Sequence, residues 1–479
     1  MDVQVVVVGA GPVGLLLAGE LRLGGATVAV LERLVEPTVE SRASTLHART
    51  AEVLASRGLW ERLGPAPHIP RGHFAGIPMD LTLPSRFAGQ WKVPQTLTEE
   101  VLGDWALGLG AELYRGWTVR AVHDDGAGVT VEADTPDGVA RLRTAYLVGC
   151  DGHESTVRRL IGADFPGWPA TRELLRADVR GVAIPNRRFE RHDRGLAVAA
   201  RISEGTTRVM VYEHGRDVAE RRPAPPEFTE VVAAWRRVTG EEIGGGEPVW
   251  VNAFDDAHRQ LSQYRHGRVL FAGDAAHVQL PIGGQALNLG LQDAVNLGWK
   301  LAARVRRGAP AGLLDTYHAE RHPVGRRTLT NIRAQATLLL GDRSVEPVRS
   351  LFAELVTIDA TRRRLAGMVS GLDIRYRPSA DEHYTVGDYL AELAQPDGRG
   401  LLLAVPGSPA ATAAAPWREQ VTVAPPPTAP VDAAAILVRP DGHVAWAGTS
   451  AEAAHTALYR WFGPPSHSRA HSRPVKEIS

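Results

Sequence analysis

Gly9-Ala10-Gly11-Pro12-Val13-Gly14 is the first segment of this chain whose residue types and spacing suggest chemistry. Three glycines at this spacing meet three physical needs: a tight turn, close approach of backbone to a pyrophosphate, and close packing of the following helix on the preceding strand. The start of that helix offers N–H groups and a partial positive charge to an anion. Glu32 closes the next apolar run, where a carboxylate can accept hydrogen bonds from a ribose diol. Two later segments combine glycine with charge in the same way. Cys150-Asp151-Gly152 precedes Ser155 and Arg158, and Gly273-Asp274-Ala275-Ala276-His277 runs on through Pro281, Gly283-Gly284-Gln285 and Leu287-Asn288.

These segments need elements to hold them. Val5-Val6-Val7-Val8 reads as a strand buried on both faces, Pro12 to about Leu23 as a helix, and Thr27 to Leu31 as a second buried strand. That is a βαβ unit, and with Glu32 in register it makes the first glycine segment a dinucleotide site rather than a bare turn. Thr96 to Gly110 reads as a helix opened by Thr96 or Thr98, and short strands follow around 119–122, 129–131 and 146–148. Between about 165 and 265 the pattern changes to alternation, as in Arg208-Val209-Met210-Val211-Tyr212, the mark of half-buried antiparallel strands. Leu291, Ala294, Val295, Gly298 and Ala302 form a helical core stripe, and further helix is expected over Leu313 to Leu340 and Val345 to Met368. Residues 406–430, rich in Pro and Ala, read as an extended loop, and Pro440-Asp441-Gly442 turns a hairpin between two apolar runs.

The expected fold is therefore α/β. A Rossmann-like domain occupies 1–165 and 266–378, a mixed or antiparallel sheet domain is inserted at 166–265 with part of 70–100, a small C-terminal domain spans 380–462, and 463–479 is a flexible tail. No internal repeat is visible.

Composition narrows the function. The 479 residues are 44% hydrophobic and 23% charged, and 54 basic residues balance 54 acidic ones, too neutral for a protein that grips nucleic acid mainly through phosphates. Cys150 is the single cysteine, so no internal disulfide and no multi-cysteine zinc site can form. The longest apolar stretch, Val5 to Gly19, is interrupted by Gly9, Gly11, Pro12 and Gly14 and has no basic region before it. It reads as neither signal peptide nor membrane span, and a cytoplasmic protein without membrane contact is expected.

The three segments, in this order and over nearly the whole chain, resemble the FAD-dependent aromatic hydroxylases, the para-hydroxybenzoate hydroxylase superfamily of single-component flavoprotein monooxygenases. The subgroup that oxidises aromatic polyketides of the angucycline and anthracycline kind looks closest, and rifampicin monooxygenase is similar too. The resemblance implies that Gly9, Gly11, Pro12, Gly14 and Glu32 hold the ADP half of FAD. Arg42, in Glu40-Ser41-Arg42, would neutralise the pyrophosphate with Arg33 nearby. Gln95 and Asp274 would bind the ribityl side, and Asp151 and Arg158 would link FAD binding to the approach of the nicotinamide. Pro281, Leu287 and Asn288 would carry the catalytic segment. Negative charge develops at flavin N1 and the C2 carbonyl on reduction, and a helix starting near Leu287-Asn288 would aim N–H groups and its positive end at it. Gly283 and Gly284 would let backbone approach the ring, and the Pro281 carbonyl would face the substrate. Ala286 stands where the family usually has glycine. Alanine tolerates positive φ poorly, so either the loop avoids that conformation or flavin mobility is altered.

Read the same way, His277 is structural, His47 either lines the substrate side or supports packing, and Tyr212, Trp235 and Trp250 are core aromatics. The implied activity is hydroxylation of a polycyclic aromatic polyketide through a C4a-hydroperoxyflavin, using NADPH (or NADH) and O2 and no metal, by a monomer or homodimer. No general base stands out. Two alternatives stay open: a Baeyer–Villiger-type or antibiotic-inactivating oxygenase on a similar substrate, and a non-catalytic FAD-binding sensor or partner protein. The C-terminal segment resembles a thioredoxin-like appendage, but without Cys-x-x-Cys it can serve only packing or subunit contact.

Overall fold

The computed structural model describes residues 3–38, 43–216, 218, 222, 224–376, 390, 393, 395–426 and 434–465. Its first sheet contains β1 (Val5–Val8), β2 (Val28–Glu32), β3 (Glu112–Arg115), β4 (Tyr146–Gly149) and β5 (Val269–Phe271). Across the sheet the order is Arg265–His266, β5, β4, β1, β2, β3, parallel from β5 onward. All four valines of β1 are buried, because helices or other segments cover both faces of a parallel sheet. Strands from before and after the inserted region thus complete one sheet, with β5 arriving last.

Two helices pack together beside this sheet. α1 (Pro12–Leu23) begins with Pro at a position whose N–H would be unpaired in any case. α2 (Gln285–Arg307) follows the third glycine-rich segment, and α3 (Gly312–Leu340) follows it. α1 and α2 lie close because α2 carries glycine where they cross. A Cβ at Gly298 would sit 2.4 Å from the Glu20 Cβ, and one at Gly290 would meet Val13 at 2.8 Å.

The inserted region is an antiparallel five-stranded sheet in the order Arg187–His192, Gly195–Ser203, Thr206–Glu213, Glu173–Arg180, Glu247–Asp255. Alternation assigns its two faces. Leu175, Ala177, Val179, Val209 and Val211 pack on Val231 and Trp235 of the helix Phe228–Thr239. Leu174, Leu196 and Tyr212 face the other way, against Phe74, Leu280, Ile282 and the α3 residues Ile332, Ala336 and Leu339. Tyr212 and Trp235 are therefore core. Trp250 is half-buried, with the Arg176 and Arg208 guanidinium groups 4.9 and 5.2 Å from its ring centre.

The C-terminal unit is thioredoxin-like: a four-stranded sheet in the order Val421–Ala424, Gly400–Ala404, Ala435–Val438, Val444–Gly448, with the helix Ala451–Phe462 packed on it. Charged groups tie it to the rest of the molecule. Arg439 donates to both oxygens of Glu320 on α3 at 2.6 and 3.0 Å, and Lys300 of α2 donates to the same carboxylate at 2.7 Å. Arg57 pairs with Glu20 at 2.6 Å and also donates to the carbonyls of Gln395 and Pro440.

Three expectations need correction. Residues 406–430 are not one extended loop, because Ser408 caps a short helix Pro409–Ala414 and a strand follows at Val421–Ala424. The helix expected over Val345 to Met368 is two, Glu346–Leu355 and Asp359–Ser370, divided where Ile358 is extended (φ −73°, ψ 120°). The helix expected from Thr96 begins at Gln95 with Pro94 extended before it, and no side chain caps it. Of the expected tail, the structure describes Gly463 to Pro465 and the remainder lies outside the described residues. Among the described residues no helix is long and apolar enough to cross a membrane.

Candidate active site

The first glycine loop turns from β1 into α1 as its spacing requires. Gly9 has φ +104°, and a Cβ there would lie 2.4 Å from the Cys150 carbonyl oxygen. A Cβ at Gly14 would lie 2.0 Å from the Gly9 carbonyl oxygen, so this glycine is needed for close contact of helix and strand. Gly11 is different, because a Cβ there would meet nothing within 4 Å. The backbone at the start of α1 thus borders open space, the cradle a pyrophosphate needs. Pro12 is the first residue of α1, and Arg33 is exposed just past β2. Glu32 accepts from the Ala10 N–H at 2.8 Å and the Leu34 N–H at 2.9 Å, one bond to each oxygen. Each oxygen keeps a lone pair for a ribose hydroxyl. Gln95 accepts from the Ala43 N–H at 3.1 Å and donates to Glu99 at 2.8 Å. Arg42 lies outside the described residues.

Asp151 accepts from the Ser155 hydroxyl at 2.5 Å and the Val157 N–H at 3.0 Å, so it closes the turn into the helix Thr156–Leu160. Burial pushes its carboxyl above the ordinary range. Arg158 donates to the carbonyls of Ala275 (2.9 Å) and His153 (2.5 Å), and its guanidinium lies 3.9 Å from the Phe165 ring centre. The second charged segment thereby braces the third. Within the brace Asp274 is exposed while Gly273, Ala275 and Ala276 are buried, which presents one carboxylate outward from a rigid turn.

The floor beneath that turn is a fully buried charge network. Asp293 of α2 accepts from His277 Nε2 at 2.8 Å, Arg321 Nε at 2.7 Å and the Gly273 N–H at 3.3 Å. Burial pushes the Asp293 carboxyl upward, but the pull of Arg321 and His277 prevails and holds it below the usual range. His277 is accordingly a structural partner of Asp293. The network was invisible as a motif, although an aspartate beside Ala294 on a buried helical stripe signals a buried partner.

From Pro281 the chain enters the segment expected to be catalytic. Pro281 is exposed, and Gly283 (φ 66°, ψ 11°) and Gly284 (φ 71°, ψ 18°) are both left-handed, a pair that side chains adopt poorly. α2 starts at Gln285, two residues earlier than expected, with Gly284 as its N-cap and no side chain capping it. Ala286 therefore sits in the first helical turn and not at positive φ, which removes the conformational difficulty expected there. The same shift changes the expected roles of the next two residues. Leu287 is in the first three positions, whose N–H groups lie outside the helix ladder, whereas Asn288 is the fourth and lies within it. The Asn288 side chain acts as a clamp instead: it donates to the carbonyls of Thr45 (2.9 Å) and Gly284 (2.7 Å) and accepts from the His47 N–H (2.9 Å).

Residues 2–332 match the family described as FAD binding domain, and residues 380–465 match the family described as aromatic-ring hydroxylase, C-terminal. The chain belongs to the FAD-dependent aromatic-ring hydroxylases. A relative from Streptomyces rimosus subsp. rimosus, 12-dehydrotetracycline 5-monooxygenase/anhydrotetracycline 6-monooxygenase, is 44% identical over 97% of this chain and 100% of its own. Rifampicin monooxygenase of Streptomyces venezuelae is 42% identical over 96% and 98%. A solved structure of an aromatic hydroxylase from angucycline biosynthesis is 49% identical, with a TM-score of 0.92 over 97% of this chain and 100% of that one. Dialkyldecalin synthase of Streptomyces rugosporus, 38% identical over 97% and 100%, carries a name from another reaction class.

As a member of this family the protein is an FAD-dependent monooxygenase. The residues present fit the cofactor on three observations: the open cradle at Gly11, the outward Asp274, and the uncapped start of α2. Among the described residues no group of His, Cys, Asp and Glu could hold a metal ion.

Proposed function

We propose that this protein hydroxylates a polycyclic aromatic polyketide, using NADPH or NADH and O2. The observation that carries this reading is the loop from Pro281 to Leu287, two left-handed glycines leading into an uncapped helix start below the inserted sheet. Bound FAD would supply oxygen activation and accept hydride from the nicotinamide. The chain's own part is to bind, orient and exclude water. Gly9, Gly11, Pro12, Gly14 and Glu32 would hold the ADP half, and Gln95 and Asp274 the ribityl hydroxyls. The N–H groups of Gln285, Ala286 and Leu287 would face the charge that develops on the ring, supplying fixed donors at no reorganisation cost. The inserted sheet would roof an apolar pocket for the aromatic substrate.

An anionic cosubstrate has a complementary surface nearby. Arg158 lies buried over Phe165, while nearer the surface Arg259 donates to the Phe165 carbonyl and Arg333 lies 3.8 Å from the Trp168 ring centre. None of these three arginines forms an ion pair with a carboxylate among the described residues. We assign NAD(P)H to this side, with Asp151 and Arg158 coupling it to the Asp274 turn.

A second reading has one observation behind it. The 38% identity to dialkyldecalin synthase supports a protein that holds FAD without oxygenating its ligand. Incubation with a panel of aromatic polyketides, NAD(P)H and isotopically labelled O2 separates the two. Substrate-stimulated NAD(P)H oxidation with one labelled oxygen in the product is expected. Insertion of that oxygen beside a ketone would indicate Baeyer–Villiger chemistry. Tight FAD binding with an isomeric, unlabelled product would favour the second reading.

A further inference from the structure

His47 stands out among buried groups because one ring nitrogen is hydrogen-bonded and the other, among the described residues, is not. It ends the short strand Thr45–His47 and is 1% exposed. Burial lowers its pKa to about 4, so the ring is neutral near neutral pH. Its Nε2 lies 2.7 Å from the Gly283 carbonyl oxygen, while its Nδ1 is buried with no hydrogen-bond partner among the described residues. A carbonyl only accepts, so Nε2 carries the proton and Nδ1 keeps an unused lone pair. An orphaned ring nitrogen in a packed interior is tolerated when the remaining bond has a purpose.

That purpose follows from what the bond holds. Gly283 and Gly284 are consecutive left-handed residues, and Gln285 is right-handed (φ −75°, ψ −28°). A left-handed residue followed by a right-handed one turns successive N–H groups to the same side, an anion-binding concavity. The peptide oxygens must then point elsewhere. His47 takes the Gly283 oxygen, and the Asn288 carboxamide takes the Gly284 oxygen. We propose that His47 is a positioning residue for the oxygenase reaction: by holding the Gly283 carbonyl away, it keeps the Gly284–Leu287 N–H groups aimed at the anionic edge of reduced FAD. This inference rests on the reading of that loop as the flavin-facing one.

The test compares three variants with wild type as holoenzymes. His47→Leu removes the donor at similar size, His47→Gln keeps a donor at the Nε2 position, and His47→Asn keeps a donor that falls short. The readouts are FAD affinity of the apoprotein by fluorescence quenching and the two-electron potential of the bound flavin. His47→Leu and His47→Asn should favour reduced over oxidised FAD about tenfold less, read as a potential about 30 mV more negative. His47→Gln should stay within twofold of wild type. A residue needed only for packing would weaken both oxidation states alike, leave the potential in place and gain nothing from glutamine; that result overturns the inference. If His47→Leu does not fold, equal potentials for His47→Gln and His47→Asn overturn it as well. Failure of wild-type apoprotein to bind FAD would instead remove the underlying functional reading.

Discussion

Gly11 and Gly14 are glycines for different reasons, and substitution should separate them. Gly11→Ala places a methyl group in open space, so the fold should tolerate it while FAD affinity falls tenfold or more, about 1.4 kcal/mol or greater. Gly14→Ala places that group against the Gly9 carbonyl and should lower the melting temperature of the apoprotein itself. Equal effects of the two on apoprotein melting would contradict the assignment of Gly11 to the cofactor. Asp274→Asn should reduce FAD retention on gel filtration, and undiminished flavin absorbance would count against its ribityl role. The buried histidines set a pH dependence. His47 and His443 are held at about 4 in the fold, against 6.5 when free. Between these values the unfolded chain binds more protons, so stability is full above pH 6.5 and falls as pH drops toward 4, by about 1.4 kcal/mol per unit for each ring. Urea unfolding at pH 7 and pH 5 should show that loss, and His443→Gln should flatten it. The glycine loop and the acid at Glu32 were legible in the sequence because their requirements are local. The contact of His47 with Asn288 joins residues 241 positions apart, and no spacing rule connects them.

α2 is the element on which the site is built. Its start faces the proposed ring position, Asp293 holds the Gly273 turn, and Gly290 and Gly298 let it lie against Val13 and Glu20. Gly290→Ala would put a methyl group 3.0 Å from the Gly273 Cα and 2.8 Å from Val13. Thermal unfolding should register a loss of roughly 1–3 kcal/mol, the usual effect of overpacking. FAD affinity should fall with it, since the Asp274 turn must move. A fall in stability with unchanged FAD affinity would separate the turn from the cofactor. The long elements were readable because their apolar residues keep one period over many turns, as in the core stripe from Leu291. The pieces between 406 and 430 were not, because a helix of six residues is too short for a period and its Pro409 reads as loop unless Ser408 is recognised as its cap. The division near Ile358 was equally hidden, since a β-branched residue inside a helical pattern does not by itself mark a break.

At the scale of the molecule, the C-terminal unit is fastened by buried charges. Lys300, Glu320, Arg439 and Asp441 are at most a tenth exposed at their side chains. Burial pushes the Glu320 carboxyl upward, yet Arg439 and Lys300 hold it at about 2, and burial lowers Lys300 to about 8. Removing one partner of such a set strands the others, so Arg439→Met should cost roughly 3–5 kcal/mol. Limited proteolysis should then degrade the C-terminal unit faster in the variant than in wild type. Resistance equal to wild type would mean that apolar packing of Trp299 on Trp461 and Phe462 suffices. Chimeras inherit this constraint. Exchanging the terminal unit between related oxygenases transplants Arg439 and Asp441 but leaves Lys300 and Glu320 behind on the donor, and a mismatched quartet in the recipient would leave a bare ion inside the seam. Grafts designed to alter ligand preference should therefore carry all four residues as one cassette, with the crossover placed so that the donor's versions of α2 and α3 travel with its own appendage.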